Sequence, residues 1–317
     1  MTNQMQPTYS PQEIPVFFST NDAYIPFLDI AIASLIRNAS KDHRYRLIVL
    51  NTGLSPDSMA LILRRQCEGF TIEFADISKE VEGIQSRFKD VYHFSVATYY
   101  RLFIASLFPQ YKKILYLDCD IVLLGDVSEL YRTELNGCII AAAPEQFVRY
   151  TPEFREYAKK AVGVDPDGYV NAGVLVIDLD QFRAHRIEEQ FIDLINRFDF
   201  DLLDPDQAYL NYLCDGYIRV LPNGWNKEPT ERALEGDLNL VHYALYKKPW
   251  QYDDVMYGEH FWEYAKESPF YEEILRLKAS FGEAERAEKA AMASEILRHG
   301  LEIADSEMTF AKQLRKD

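Results

Sequence analysis

The chain has 317 residues, 48% of them hydrophobic and 14% aromatic, which suits one large α/β domain with an appendage and excludes a disordered chain. Its 34 basic and 50 acidic residues leave a formal charge of −16, which would repel a phosphate backbone over most of the surface and excludes nucleic acid as an expected partner. A phosphorylated small molecule stays admissible, because a bound cation and one or two placed lysines can invert the field locally.

Residues 1–13 are polar and form an expected flexible tail without the apolar stretch of a signal peptide. No later run is long enough to span a bilayer. Cys67, Cys119, Cys138 and Cys214 are widely spaced and indicate reduced thiols, so the expected location is the cytoplasm.

From Ile14 onward, short apolar runs alternate with amphipathic stretches, the pattern of β-α-β units around a largely parallel sheet. The pattern predicts a strand at Ile14–Ser19, a helix at Ile25–Asn38 and a strand at Tyr45–Leu50. A helix at Pro56–Cys67 capped by Ser55 and a third strand at Thr71–Phe74 follow. Beyond an irregular stretch it predicts a helix at Val96–Leu107 and a strand at Lys113–Leu117. Strands at Cys138–Ala143 and Gly173–Ile177, helices at Ile187–Phe198 and Asp206–Cys214, and a strand at Ile218–Leu221 complete the series. After Trp250 the chain turns helical, and from Gly282 it is rich in Ala and Glu. Its mixed charge favours a solvated helical appendage over a dimerisation or membrane-docking element.

Two constellations carry chemistry. The first is Asp118-Cys119-Asp120, two carboxylates on one face where an apolar strand ends. Open α/β sheets bind ligands beyond the carboxyl ends of their strands, and two hard oxygen ligands suit Mg²⁺ or Mn²⁺. A turn cap would use the same residues, and an apolar strand before D-x-D-x-V also resembles the nucleophile motif of haloacid-dehalogenase-like phosphatases. The second constellation is Val241 to Trp250. There His242 precedes a Lys248-Pro249-Trp250 turn, so that an imidazole can complete a metal shell while the ammonium neutralises phosphate. A surface turn with an aromatic anchor is the alternative.

With these residues in view, the chain resembles glycosyltransferase family 8. Its motifs appear in order over Val16 to Trp250: Phe17 to Tyr24, Thr98 to Leu102, Leu115 to Val122, Tyr169 to Ile177, Asp204 to Asn211, and the stretch from His242 to Trp250. The resemblance implies a GT-A fold, a Rossmann-like mixed sheet flanked by helices, over residues 14–250, with a C-terminal helical extension over 251–317. It implies that Asn21, Asp22 and Tyr24 receive the uracil and ribose of a UDP-sugar, and that Asp118, Asp120 and His242 bind Mn²⁺ or Mg²⁺. Arg101 and Lys248 fall to the diphosphate side, Asn171, Ala172 and Gly173 beside the donor sugar, and Asp206 and Gln207 at its hydroxyls and anomeric carbon. One position departs from the pattern: Leu245 stands where the family's last motif has glycine, which puts a close backbone approach to the diphosphate in doubt.

The function so implied is retaining, metal-dependent transfer of glucose or galactose from a UDP-hexose. The acceptor would be a hydroxyl of a glycan, lipopolysaccharide or glycoprotein. The resemblance also leaves room for peripheral contact at the inner membrane face and for a homodimer through the C-terminal helices. The rivals are a decayed sugar-nucleotide-binding scaffold and the phosphatase.

Overall fold

The computed structural model describes residues 13–88, 96–245 and 247–314. The expected tail, apart from Glu13, and Tyr246 of the second constellation therefore lie outside the described residues. Nine strands are defined among them: β1 Glu13–Ser19, β2 Arg44–Asn51, β3 Phe70–Asp76, β4 Lys113–Leu117, β5 Ile121–Leu123, β6 Ile140–Pro144, β7 Val170–Asp178, β8 Ile218–Val220 and β9 Leu240–His242. Seven form one sheet in the order β3-β2-β1-β4-β7-β6-β8. β1 pairs in parallel with β2 and β4, and β2 with β3, whereas β7 runs antiparallel to both β4 and β6. The sheet is thus mixed, parallel on the N-terminal side and reversed at β7.

The central strands are nearly continuous in Val, Ile, Leu and Phe because helices cover both faces and leave no side for solvent. One core gathers Phe17, Tyr116, Leu175 and Phe191, and the other gathers Phe18, Leu28, Leu117 and Val176. The expected helix at Ile25–Asn38 forms over those residues, with Pro26 in its first turn. The helix after Ser55 stops at Leu63, short of Cys67. Beyond it Arg65 turns inward to Asp29, and Gly69, at φ +84°, bends the chain into β3. The expected helix at Val96–Leu107 is 3₁₀ over Val96–Phe103 and α-helical only over Ile104–Leu107. The tighter winding eclipses residues three apart, which sets Arg101 directly below Thr98.

Two long-range features place the site. β9 pairs antiparallel with β5, opposing His242 to Ile121 and so bringing it beside Asp120. The C-terminal helices fold back onto the domain. Gly258–Ala265 lies on the Ile25–Asn38 helix, where Phe27 stacks on Trp250 with centroids 3.9 Å apart. Glu283–Asp305 is mostly exposed in its first half and buries Ile296, Gly300, Ile303 and Ala304 in its second. A Cβ at Gly300 would lie 3.0 Å from Leu203 Cδ1, so a larger residue at this crossing would have to push that side chain aside by a few tenths of an ångström.

Candidate active site

The cleft sits beyond the C-terminal ends of β1 and β4, where the sheet changes direction, and encloses about 140 Å³. Asp118 and Asp120 leave β4 on the same side, and His242 arrives from β9. One ligand atom from each of the three lies within 4.8 Å of the others. His242 Nε2 is 3.2 Å from Asp120 Oδ1 and 3.8 Å from Asp118 Oδ2, while its Nδ1 is 2.8 Å from Asn226 Oδ1. Gly173 makes this convergence possible. A Cβ there would sit 2.3 Å from His242 Cε1 and 2.6 Å from Asp118 Oδ2, so its glycine serves the site as well as the strand entry.

Lys248 is buried, donating to Asp120 Oδ2 at 2.5 Å and to the Tyr243 carbonyl at 2.8 Å. Burial opposes ionisation of Asp120, but the Lys248 ammonium and His242 outweigh it and hold the carboxyl well below the usual range. Leu245 adopts φ +58°, so the chain keeps the left-handed turn that glycine would supply without strain.

Arg101 is 3% exposed and central. Its Nη2 donates to Asp118 Oδ1 at 3.0 Å, its Nε to Thr98 O at 2.8 Å and its Nη1 to Ala172 O, and it lies 4.3 Å over the Tyr116 ring. Burial disfavours its charge, yet Asp118 and Asp206 on either side secure it. Asp206 Oδ2 lies 3.1 Å from Arg101 Nε, within ion-pair distance. That N–H points at the Thr98 carbonyl, so the oxygen is charge-paired but accepts no hydrogen bond.

Gln207 is held at both ends of its amide. Oε1 accepts from Ala172 N at 2.9 Å, and Nε2 donates to Asp204 Oδ2 at 2.7 Å. Asp204 in turn accepts from the Tyr157 and Tyr169 hydroxyls at 2.9 and 2.7 Å. Burial pushes its carboxyl up to about 7 against those three donors. Asn171 donates to Glu145 Oε2 at 2.7 Å, and burial together with Glu145 pushes Glu228 well above the carboxylate range.

At the far end Asn21 and Tyr24 line the cleft, with the Asn21 amide capping the short 3₁₀ turn that carries Tyr24. Asp22 is turned away. Its carboxylate accepts from Ser55 N, Ser55 Oγ and Ser58 Oγ at the start of the Pro56–Leu63 helix, which lowers its pKa. The structure therefore gathers Asn21, Tyr24, Arg101, Asp118, Asp120, Asn171, Ala172, Gly173, Asp206, Gln207, His242 and Lys248 around one cleft and leaves Asp22 outside its lining. Sequence reasoning missed Asp204, Tyr157, Asn226 and Ile296. Asp204 stands three residues before Gln207 and carried a helical-spacing signal, whereas the other three carried none.

The donor set of two carboxylates and an imidazole suits Mn²⁺ or Mg²⁺, with oxygen positions left for a ligand. The arrangement can hold a cation beside a buried guanidinium and a buried ammonium, which is a charge pattern for a diphosphate.

Comparison with known proteins agrees with that chemistry. Residues 15–254 match the family described as Glycosyl transferase family 8. A putative glycosyltransferase of Haemophilus influenzae is 26% identical over 234 residues, covering 73% of this chain and 68% of its own length. The lipopolysaccharide 1,2-glucosyltransferase of Escherichia coli is 30% identical over 173 residues, 49% of each chain. Among solved structures, the galactosyltransferase LgtC in complex with donor and acceptor sugar analogues superimposes with a TM-score of 0.67 at 23% identity, over 81% of this chain and 96% of that one. At that identity it shows the GT-A fold alone.

Proposed function

The chain belongs to glycosyl transferase family 8 and is a glycosyltransferase, and from that premise we propose that it transfers a hexose from a UDP-sugar to an acceptor hydroxyl with retention of anomeric configuration. The observation that carries the reading is the convergence of Asp118, Asp120 and His242 beside Arg101 and Lys248. Those three residues would hold Mn²⁺ or Mg²⁺, which when bound supplies positive charge against the departing diphosphate.

The remaining steps belong to the chain's own side chains. Asn21 and Tyr24 receive the nucleoside at the open end of β1. Asp206 Oδ2, buried and without a hydrogen bond, is fit to accept from a sugar hydroxyl that enters the cleft. Gln207 positions the anomeric centre. Its carbonyl oxygen is committed to Ala172 N, which favours front-side attack over a covalent intermediate on that amide. The acceptor approaches from the side walled by Phe147, Val148, Phe154, Leu203 and Ile296. A glycan or lipopolysaccharide acceptor and a glucose or galactose donor follow the named relatives. For the phosphatase alternative Asp118 would have to attack, but Oδ1 already accepts from Arg101 and the Tyr116 hydroxyl.

The test is UDP release from a panel of UDP-sugars with Mn²⁺ or with chelator, comparing wild type with Asp120→Ala. Metal-dependent release from one UDP-hexose, lost in the variant, is the expected result. Silence with every donor, together with no thermal stabilisation by UDP and Mn²⁺, would overturn the reading in favour of a scaffold.

A further inference from the structure

We propose that Asn226 is a positioning residue that fixes the His242 tautomer for metal binding, and that Asn171 fixes Asn226 in turn. The inference rests on the reading of Asp118, Asp120 and His242 as a cation site. It starts from a donor of certain identity. The Gly173 backbone N–H can only donate, and it points at Asn171 Oδ1 at 2.9 Å, so the amide oxygen of Asn171 faces it. The Asn171 nitrogen then faces Glu145 Oε2 at 2.7 Å, a partner suited to a donor.

The same Asn171 oxygen lies 2.8 Å from the Asn226 side chain, which must therefore present its Nδ2 there. This leaves Asn226 Oδ1 turned to His242 Nδ1 at 2.8 Å. An amide oxygen only accepts, as do the Asp118 and Asp120 carboxylates that face Nε2, so once a cation takes the Nε2 lone pair the ring's remaining proton sits on Nδ1 and is donated to Asn226. The lone pair is then on Nε2, the nitrogen aimed between Asp118 and Asp120. A histidine ligand needs this second nitrogen fixed, because the wrong tautomer presents a proton to the cation and must be flipped at a cost in affinity. Asn171, Asn226 and His242 are all buried, so the packing around them holds the ring and the two amides in these orientations. Asn171 is thereby given a task besides facing a donor sugar.

The test uses the full chain and two measurements. ¹⁵N-resolved NMR of the imidazoles in metal-free protein is expected to show His242 Nδ1 protonated and hydrogen-bonded, and Asn226→Leu is expected to show that proton lost or exchanging. Mn²⁺ titration followed by EPR is expected to give roughly 10–100-fold weaker binding for Asn226→Leu. Asn226→Asp keeps an acceptor at Nδ1 but loses the donor to Asn171 Oδ1, so it is expected to keep His242 Nδ1 protonated while releasing Asn171. An Nε2–H tautomer in the wild type overturns the proposal, even where the leucine variant fails to fold. So does Mn²⁺ binding by Asn226→Leu as tight as the wild type's. If the wild-type protein binds no Mn²⁺ with or without UDP, the cation-site reading fails, and the tautomer spectrum still decides the relay.

Discussion

Arg65 and Arg101 both serve buried aspartates, and they do so in different ways. Arg65 forks onto Asp29 with Nε to Oδ1 at 2.8 Å and Nη2 to Oδ2 at 2.7 Å, and Ser268 Oγ adds a third bond to the same carboxylate. That cluster ties the Ile25–Asn38 helix to the chain after Leu63 and to the C-terminal segment, and both oxygens have partners within the protein. Arg101 instead divides its donors among Asp118, Thr98 O and Ala172 O, and leaves Asp206 Oδ2 charge-paired without a hydrogen bond. A buried polar cluster whose bonds are complete holds a fold, whereas one with an acceptor left over has capacity for a ligand. The contrast separates structure from function more sharply than burial does, since both arginines face buried carboxylates.

The largest expected effect falls on the completed cluster. Asp29→Ala leaves Arg65 and Ser268 without their partner, and should cost about 3–5 kcal/mol of stability by urea denaturation while kcat on the folded fraction is unchanged. Asp118→Asn should act the other way, lowering UDP-sugar turnover ~10²–10³-fold with little change in melting temperature. Should the first variant lose turnover at full stability, or the second unfold, the distinction between the clusters breaks.

The pH dependence of stability sharpens it further. The Asp204 carboxyl is raised from 3.8 to about 7, so the folded state binds the proton more tightly than the unfolded one. Its contribution is fully present below 3.8 and is lost as pH rises through about 7. Asp204→Asn should flatten the fall in stability between pH 5 and pH 8, measured by denaturant titration at each pH. A slope equal to that of the wild type would place the titration elsewhere.

Smaller effects are expected at the cleft's edge. Ile296→Asp puts a charge into an apolar wall and should raise the acceptor KM while acceptor-free UDP-hexose hydrolysis is unaltered. Equal loss of both activities would mean that the helix supports the fold and not the acceptor. Leu245→Gly should relieve the left-handed backbone and gain about 1 kcal/mol in thermal denaturation. Destabilisation instead would show that the Leu245 side chain is worth more than its strain.

The first three β-α units, the Ile25–Asn38 helix and the Asp118-x-Asp120 turn were legible because each depends on residues close in sequence: period-two and period-3.6 apolar patterns, and the cap at Ser55. The 3₁₀ form of Val96–Phe103 was not legible, because periodicity over eight residues does not separate three from 3.6 residues per turn. Asp22 looked equivalent to Asn21 in the sequence. Only the arrival of Ser55 and Ser58 from the next unit decides that its carboxylate is taken up by a helix start. Arg101 could have been a surface arginine until β4 and the Pro205–Leu213 helix closed over it.

By itself, then, the sequence determined the alternation of elements, the acidic turn after β4 and the pairing of His242 with Lys248 in one segment, all of which rest on local patterning. Only the tertiary structure decided which carboxylate oxygen accepts no hydrogen bond, how Asn171, Asn226 and His242 line up, and that Ile296 of the Glu283–Asp305 helix walls the cleft. Those depend on contacts between residues from 16 to more than a hundred positions apart, whose geometry is set by β7 reversing the sheet and β9 pairing with β5. No local propensity encodes such contacts, because the free energy that selects them comes from burying both cores at once.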